Sequence, residues 1–121
     1  HGVALEQIVL DPGPDFAKTP AQTVAVLRDL ERLRALGRPL LLAVSRKYFL
    51  GAITGRAPAE RLAGTLAAAA WAVDAGAAIL RVHDVAAVRD ALSVKAVLEG
   101  REEVPPFDAG DEELKWIRAD R

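Results

Sequence analysis

Cysteine and methionine are both absent from the 121-residue sequence, and aromatic residues make up only 5% of it. Without cysteine there is neither a disulfide nor a thiolate metal site. Without methionine, a chain that begins at His1 does not read as the start of a natural frame, and a fragment of a longer protein is expected. Charge of one sign is lacking too: 16 Lys and Arg stand against 17 Asp and Glu, for a net charge of -1. Such a balance excludes the usual electrostatic footprint of a nucleic-acid binder or of a protein held on an anionic membrane. Long apolar runs are missing as well. The longest, Leu66 to Val73, is mostly alanine and falls far short of the roughly 20 residues a membrane span needs. His1 to Gln7 carries neither the basic nor the apolar region of a signal peptide.

What is present is a 51% hydrophobic composition, enough for a buried core, arranged as strand-then-helix units. The first apolar strand, Ile8-Val9-Leu10, ends at Asp11. Thr19-Pro20-Ala21-Gln22 then has the form of a helix start, with Thr19 as N-cap, proline at the first helical position and Gln22 closing a capping box. Val26, Leu27, Leu30, Leu33 and Leu36 mark one helical stripe, and Gly37 is placed to end it in a left-handed conformation. The run Leu40 to Val44 reads as a parallel strand buried on both faces. It is followed by the loop Ser45 to Gly51 and by an alanine-rich helix from Ala59 to Ala75, which Gly76 ends. A third strand, Ala78 to Val82, leads through His83 and Asp84 into a helix from Val85 to Leu98, with Asp84 as its expected N-cap. Residues 1–100 are expected to form this α/β body, and 101–121 a charged extension with a short helix over Asp111 to Arg118.

Repeated β-loop-α units about 35 residues apart predict a parallel α/β fold, either a doubly wound sheet or part of an eightfold barrel. In either architecture functional side chains gather just past the C-terminal ends of the strands. All three strand ends here are polar: Asp11, then Ser45-Arg46-Lys47, then Arg81, His83 and Asp84. Lys47, Arg81 and His83 suit a phosphate or diphosphate, aided by the N-terminus of the last helix. Asp11 suits the paired donors of an amino-pyrimidine edge. The ligand implied is aromatic, rich in nitrogen and anionic at one end. Plainer roles exist for each residue. Arg81 and Asp84 can form an ion pair, Asp11-Pro12-Gly13 can be a turn, Ser45 can cap the helix behind it, His83 can be structural, and Phe49 can anchor the core.

The three strand ends together resemble one family, the dihydropteroate synthases. Leu10-Asp11-Pro12-Gly13-x-x-Phe16-x-Lys18-Thr19 is similar to that family's loop after the sixth strand of a (β/α)8 TIM barrel. Ser45-Arg46-Lys47-x-Phe49-Leu50-Gly51 is similar to the loop after the seventh, Arg61 with Gly64-Thr65-Leu66-Ala67 to the helix behind it, and Arg81-Val82-His83-Asp84-Val85 to the end of the eighth. The resemblance implies an enzyme that joins hydroxymethyldihydropterin diphosphate to 4-aminobenzoate, releasing diphosphate, in folate synthesis. It implies Asp11 and Lys47 on the pterin, Arg81 on pterin and diphosphate, His83 on diphosphate, and Phe16, Lys18 and Ser45 around the 4-aminobenzoate, where sulfonamides compete. Lys47, Arg81 and His83 form the implied catalytic set. Mg2+ is the implied cofactor, with its ligand outside this chain. A cytoplasmic homodimer packed through the last helices is implied as well.

The sequence departs from the pattern at Asp15 and Ala43, where family members usually have glycine, and at Tyr48, where many have a smaller or polar residue. A diverged paralogue that binds a pterin without making dihydropteroate is therefore one alternative. Another is a methyltetrahydrofolate-binding methyltransferase barrel, which binding of diphosphate or a sulfonamide would count against. A third reading is not enzymatic: three units leave an unpaired strand edge at each side of the sheet, to be covered by a partner fragment or an oligomer.

Overall fold

The structure, a computed structural model, describes residues 1–106. The expected helix over Asp111 to Arg118, with Trp116, lies outside the described residues. Five helices surround a short parallel sheet: α1 (Pro20–Arg28), α2 (Leu30–Arg34), α3 (Tyr48–Thr54), α4 (Leu62–Asp74) and α5 (Val85–Leu98). The strands are β1 (Leu41–Leu42) and β2 (Ile79–Leu80), paired in parallel with Leu41 opposite Ile79 and Leu42 opposite Leu80. On the other side of β1 the segment around Leu10 makes a parallel bridge to Leu40. There the Leu10 N–H donates to the Pro39 carbonyl and the Leu41 N–H to the Leu10 carbonyl, both at 2.8 Å.

Two of the three expected strands, β1 and β2, pair in the sheet, the first is reduced to the bridge at Leu10 beside β1, and each is shorter than the apolar run that marked it. Ile8 to Leu10 narrows to Leu10, Leu40 to Val44 to Leu41–Leu42, and Ala78 to Val82 to Ile79–Leu80. The reason is lateral. Only β1 has a neighbour on both sides, and an outer strand with one neighbour has half its peptide groups outside any ladder. Val9 and Ile79 are accordingly exposed.

The first helix is also a correction. Val26 to Leu33 fall in two helices, because Asp29 leaves helical geometry (φ -111°, ψ 28°) between α1 and α2, and Leu36 lies beyond α2 and is exposed. Leu27 and Leu30, on either side of the break, are both buried. The start of α1 is as expected. The Gln22 N–H donates to Thr19 Oγ1 at 3.2 Å, and the Thr19 N–H to Gln22 Oε1 at 2.8 Å. Gly37 follows α2 at φ 68°. The alanine-rich helix starts later than expected, at Leu62, since Pro58–Glu60 forms a separate 3-10 turn and Arg61 stands between them (φ -90°, ψ 18°). Helix α5 has the expected bounds.

The core is one cluster of Leu27, Leu30, Leu40, Leu42, Val44, Phe49, Leu50 and Ala72. Phe49 is an anchor of it, as its plainer reading held. With α1 against α3, and α4 against α5, this cluster fixes the directions in which the three strand ends leave the sheet. None of the described helices is long and apolar enough to cross a membrane.

Candidate functional site

The loop after Leu10 folds on itself. Asp11 Oδ1 accepts the Gly13 N–H at 2.8 Å, and Gly13 has φ 63°, a conformation that suits glycine. Asp11 is thus in a turn, as its plainer reading held, with its side chain exposed. Further along, the Lys18 ammonium donates to the carbonyls of Gly13 and Phe16, each at 3.0 Å. This closes the loop around the Phe16 ring, which is 72% exposed. An exposed phenylalanine held by its own loop is available to something other than the core.

Asp15, in the same loop, is left-handed at φ 64°. Glycine takes this geometry freely, and an aspartate takes it only at some cost. Its carboxylate turns towards the body. Oδ1 accepts the buried Thr23 hydroxyl at 3.1 Å and Oδ2 the Phe49 N–H at 3.3 Å, while the Asp15 N–H donates to Thr23 Oγ1 at 3.0 Å. Both carboxylate oxygens thereby fasten the loop to α1 and to the start of α3.

The loop after β1 is braced from behind. Arg46 is left-handed (φ 55°), and its N–H donates to the buried Thr65 Oγ1 at 3.0 Å. Arg61 reaches under the loop. Its Nη1 donates to the carbonyls of Arg46 and Lys47 at 3.0 and 3.3 Å, and its Nε to the Arg56 carbonyl at 2.8 Å. So held, Lys47 sets its ammonium 5.0 Å from the centroid of the Phe16 ring, a cation–π contact between the first and second loops.

The second and third loops meet at two points. Ser45 is buried, and its hydroxyl lies 2.9 Å from His83 Nδ1 and accepts the His83 N–H at 3.2 Å. It therefore bonds across the sheet and does not cap α3, whose N-cap residue is Lys47. Next to it the Arg46 guanidinium grips Asp84 through two hydrogen bonds. This corrects two expectations: Asp84 stands at the N-cap of α5 but makes no side-chain cap bond, and its ion-pair partner is Arg46, not Arg81. Both Asp84 oxygens are turned to the guanidinium, and a two-point guanidinium bond outweighs a single backbone N–H. The Arg46 hydrogen bond, more than any other influence, holds the Asp84 carboxyl below the usual carboxylate range. Burial opposes this, and the charges of Arg46 and His83 add to it. The Arg46 guanidinium is raised in turn. Arg81 leaves β2 exposed and makes no side-chain hydrogen bond or ion pair among the described residues.

The expected residues thus fall into two sets, Phe16 with Lys18 and Lys47 and Ser45 with His83, which the second loop joins through Arg46, while Asp11 stands at the foot of the first loop. Among the described residues neither the Asp11 side chain, which bonds the Gly13 N–H, nor that of Arg81 is tied to the other expected residues by a hydrogen bond or ion pair. The bracing by Thr65 and Arg61, and the partnership of Arg46 with Asp84, were not anticipated. No three His, Asp or Glu side chains converge closely enough to hold a metal ion among the described residues. The arrangement offers donors, a cation and an exposed ring at one end of a parallel sheet, suited to a flat ligand with an anionic end.

Known proteins carry the same arrangement of chain. Dihydropteroate synthase of Synechocystis sp. is 48% identical over 99 residues, which are 81% of this chain and 34% of that protein. A Mycobacterium tuberculosis protein named inactive dihydropteroate synthase 2 is 43% identical over 99 residues, 82% of this chain and 31% of that one. Among solved structures, dihydropteroate synthase from Xanthomonas albilineans in complex with 7,8-dihydropteroate superposes with a TM-score of 0.78 at 44% identity, covering 86% of this chain and 39% of that one. The chain spans about a third of the length of these curated relatives. The profile of the pterin binding enzymes matches residues 1–83, which include all three strand ends as far as His83, and the chain belongs to that family.

Proposed function

We propose that the protein carrying this chain is a dihydropteroate synthase, and that the chain contributes units six to eight of its (β/α)8 barrel. The observation that carries this reading is the linkage of the three strand-end loops, from Phe16 through Lys47 and Ser45 to His83. Sequence similarity to enzymes of that name supports it.

In this reading Asp11 accepts the amino-pyrimidine edge of the pterin, and Lys47 lies between the pterin and the aryl amine. Arg81 and His83 take the diphosphate. Phe16 and Lys18 border the 4-aminobenzoate, and the part of Ser45 is taken up below. The bond from the pterin methylene carbon to the diphosphate oxygen breaks, with its electron pair leaving on diphosphate. The amine nitrogen then bonds to that carbon and gives up a proton. Such a reaction needs positioning and charge stabilisation more than a protein nucleophile. The described residues do not by themselves fit a metal centre, so no step is routed through Mg2+, whose ligand this reading places outside the chain. Residues 1–100 form the barrel part and 101–121 an extension in the same reading. It also takes the protein to be a cytoplasmic homodimer through α4 and α5, which expose Trp71, Val94 and Leu98.

The test is diphosphate release by the full protein, given hydroxymethyldihydropterin diphosphate and 4-aminobenzoate with Mg2+. Release that requires both substrates supports the synthase. A folded protein that binds the pterin and releases nothing supports a second reading, a diverged paralogue. That reading is favoured by similarity to relatives named inactive and by Asp15 and Ala43, where the family resemblance implies glycine.

A further inference from the structure

A serine that is only 4% exposed has little of its surface left for a ligand. Both hydrogen-bond contacts of the Ser45 hydroxyl go to His83, from Nδ1 at 2.9 Å and from the backbone N–H at 3.2 Å. A hydroxyl has one proton to give and two lone pairs to receive. The backbone N–H can only donate, so it occupies a lone pair. The hydroxyl proton then needs an acceptor, and among the described residues the one hydrogen-bonded to Ser45 is Nδ1. In this assignment the neutral imidazole carries its proton on Nε2. The sheet keeps the two residues together: the parallel register that sets Leu42 opposite Leu80, continued three residues along both chains, sets Ser45 opposite His83.

We propose that Ser45 is a positioning residue for His83. It fixes the ring and its tautomer so that Nε2–H is the free donor, aimed at an anionic oxygen of the ligand. This rests on the reading of His83 as a diphosphate contact, and it assigns Ser45 a place behind the anionic subsite in preference to one on the 4-aminobenzoate. Such a partner behind a ligand-binding histidine removes rotational and tautomeric freedom before the ligand arrives.

The experiment uses the full protein with 15N-labelled histidine, the His83 signals being assigned by their loss in His83→Gln. At a pH where the ring is neutral, the wild type is expected to show the Nε2–H tautomer alone. Ser45→Ala should give a mixture, and Ser45→Thr, which keeps the hydroxyl, should restore the single form. Ser45→Cys, a weaker donor, should lie between and serves if Ser45→Ala does not fold. Inorganic diphosphate is the binding probe. Ser45→Ala should weaken it about tenfold, the scale of one well-placed hydrogen bond to a charged group, and should add nothing in a His83→Gln background. An unchanged tautomer in Ser45→Ala, or equal weakening with and without His83, would overturn the proposal. A wild type that does not bind diphosphate at all would sink the synthase reading, while the tautomer measurement would still decide the role of Ser45.

Discussion

Arg46 and Asp84 join the second and third loops by a two-point ion pair, with Nη2 2.7 Å from Oδ1 and Nε 3.0 Å from Oδ2. Both side chains are only partly exposed, at 34% and 24%, and the planar fork of arginine matches a carboxylate in a way a lysine does not. Since the pair stands beside Ser45 and His83, it restricts the distance between the loops that carry them. The folded-state pKa of Asp84 is lowered, chiefly by the Arg46 hydrogen bond. The stability it contributes is therefore present above the ordinary carboxylate pKa and is lost as pH falls through the lowered one. Arg46 is raised from a value already far above neutrality, stays charged throughout, and adds no dependence of its own. Chemical denaturation of the wild type and Asp84→Asn should differ most at neutral pH, and the gap should close in acid. A gap of constant size between pH 7 and about pH 3 would mean that the carboxylate charge is not what binds the loops.

This pair also marks the limit of what the sequence discloses. The three polar strand ends were legible from the apolar runs, the cap at Thr19 from its capping-box pattern, and the bounds of α5 from the residues that flank it. The pairing of side chains across strands was not, because it depends on register. Leu42 faces Leu80, and the same offset of 38 residues joins Ser45 to His83 and Arg46 to Asp84. With that one offset in hand, both contacts follow from numbering. Without it Asp84 falls to its nearest plausible neighbour, Arg81. The break at Asp29 and the 3-10 turn ahead of Arg61 were illegible for another reason. Neither proline nor glycine marks the break at Asp29, and Pro58, which opens the 3-10 turn, reads equally well as the first residue of the helix that follows.

Asp15→Gly tests whether this residue impairs function. Glycine relieves the left-handed strain, worth on the order of 1 kcal/mol. It also removes the acceptor of the buried Thr23 hydroxyl and of the Phe49 N–H, a loss of about 1–3 kcal/mol. The loss outweighs the relief. The variant should melt a few degrees lower, and its turnover should not exceed that of the wild type. A rise in turnover on this substitution would identify Asp15 as the cause of a lost activity and favour the diverged paralogue.

Gly51→Ala should act on Lys47 from a distance. A methyl group at Gly51 would collide with the Arg61 guanidinium, which holds the carbonyls of Arg46 and Lys47. Arginine is flexible at its end and can swing aside, but two loop carbonyls then lose their donor. A loss of roughly 1–2 kcal/mol of stability is expected, with weaker pterin binding by calorimetry. Arg61→Lys should behave similarly, since a single ammonium cannot span the carbonyls the fork reaches. Unaltered binding in both variants would show that the loop keeps its shape without the brace.

Phe16→Leu separates a structural ring from a functional one. Phe16 is mostly exposed, so replacing it should cost little in burial. The contact with the Lys47 ammonium at 5.0 Å is worth about 0.5–1 kcal/mol at an exposed site, and leucine cannot supply it. The melting temperature should therefore move little. The ring touches the loop of one proposed substrate and the cation of the other. Its loss should free Lys47 and raise KM for both the pterin diphosphate and 4-aminobenzoate, several-fold each. Lys47→Met should raise the pterin KM in the wild type and have a smaller further effect on the Phe16→Leu background, because the two residues act as a pair. Fully additive effects on KM would mean that ring and cation serve their substrates separately, and a large drop in melting temperature with KM unchanged would mean that Phe16 merely packs the loop.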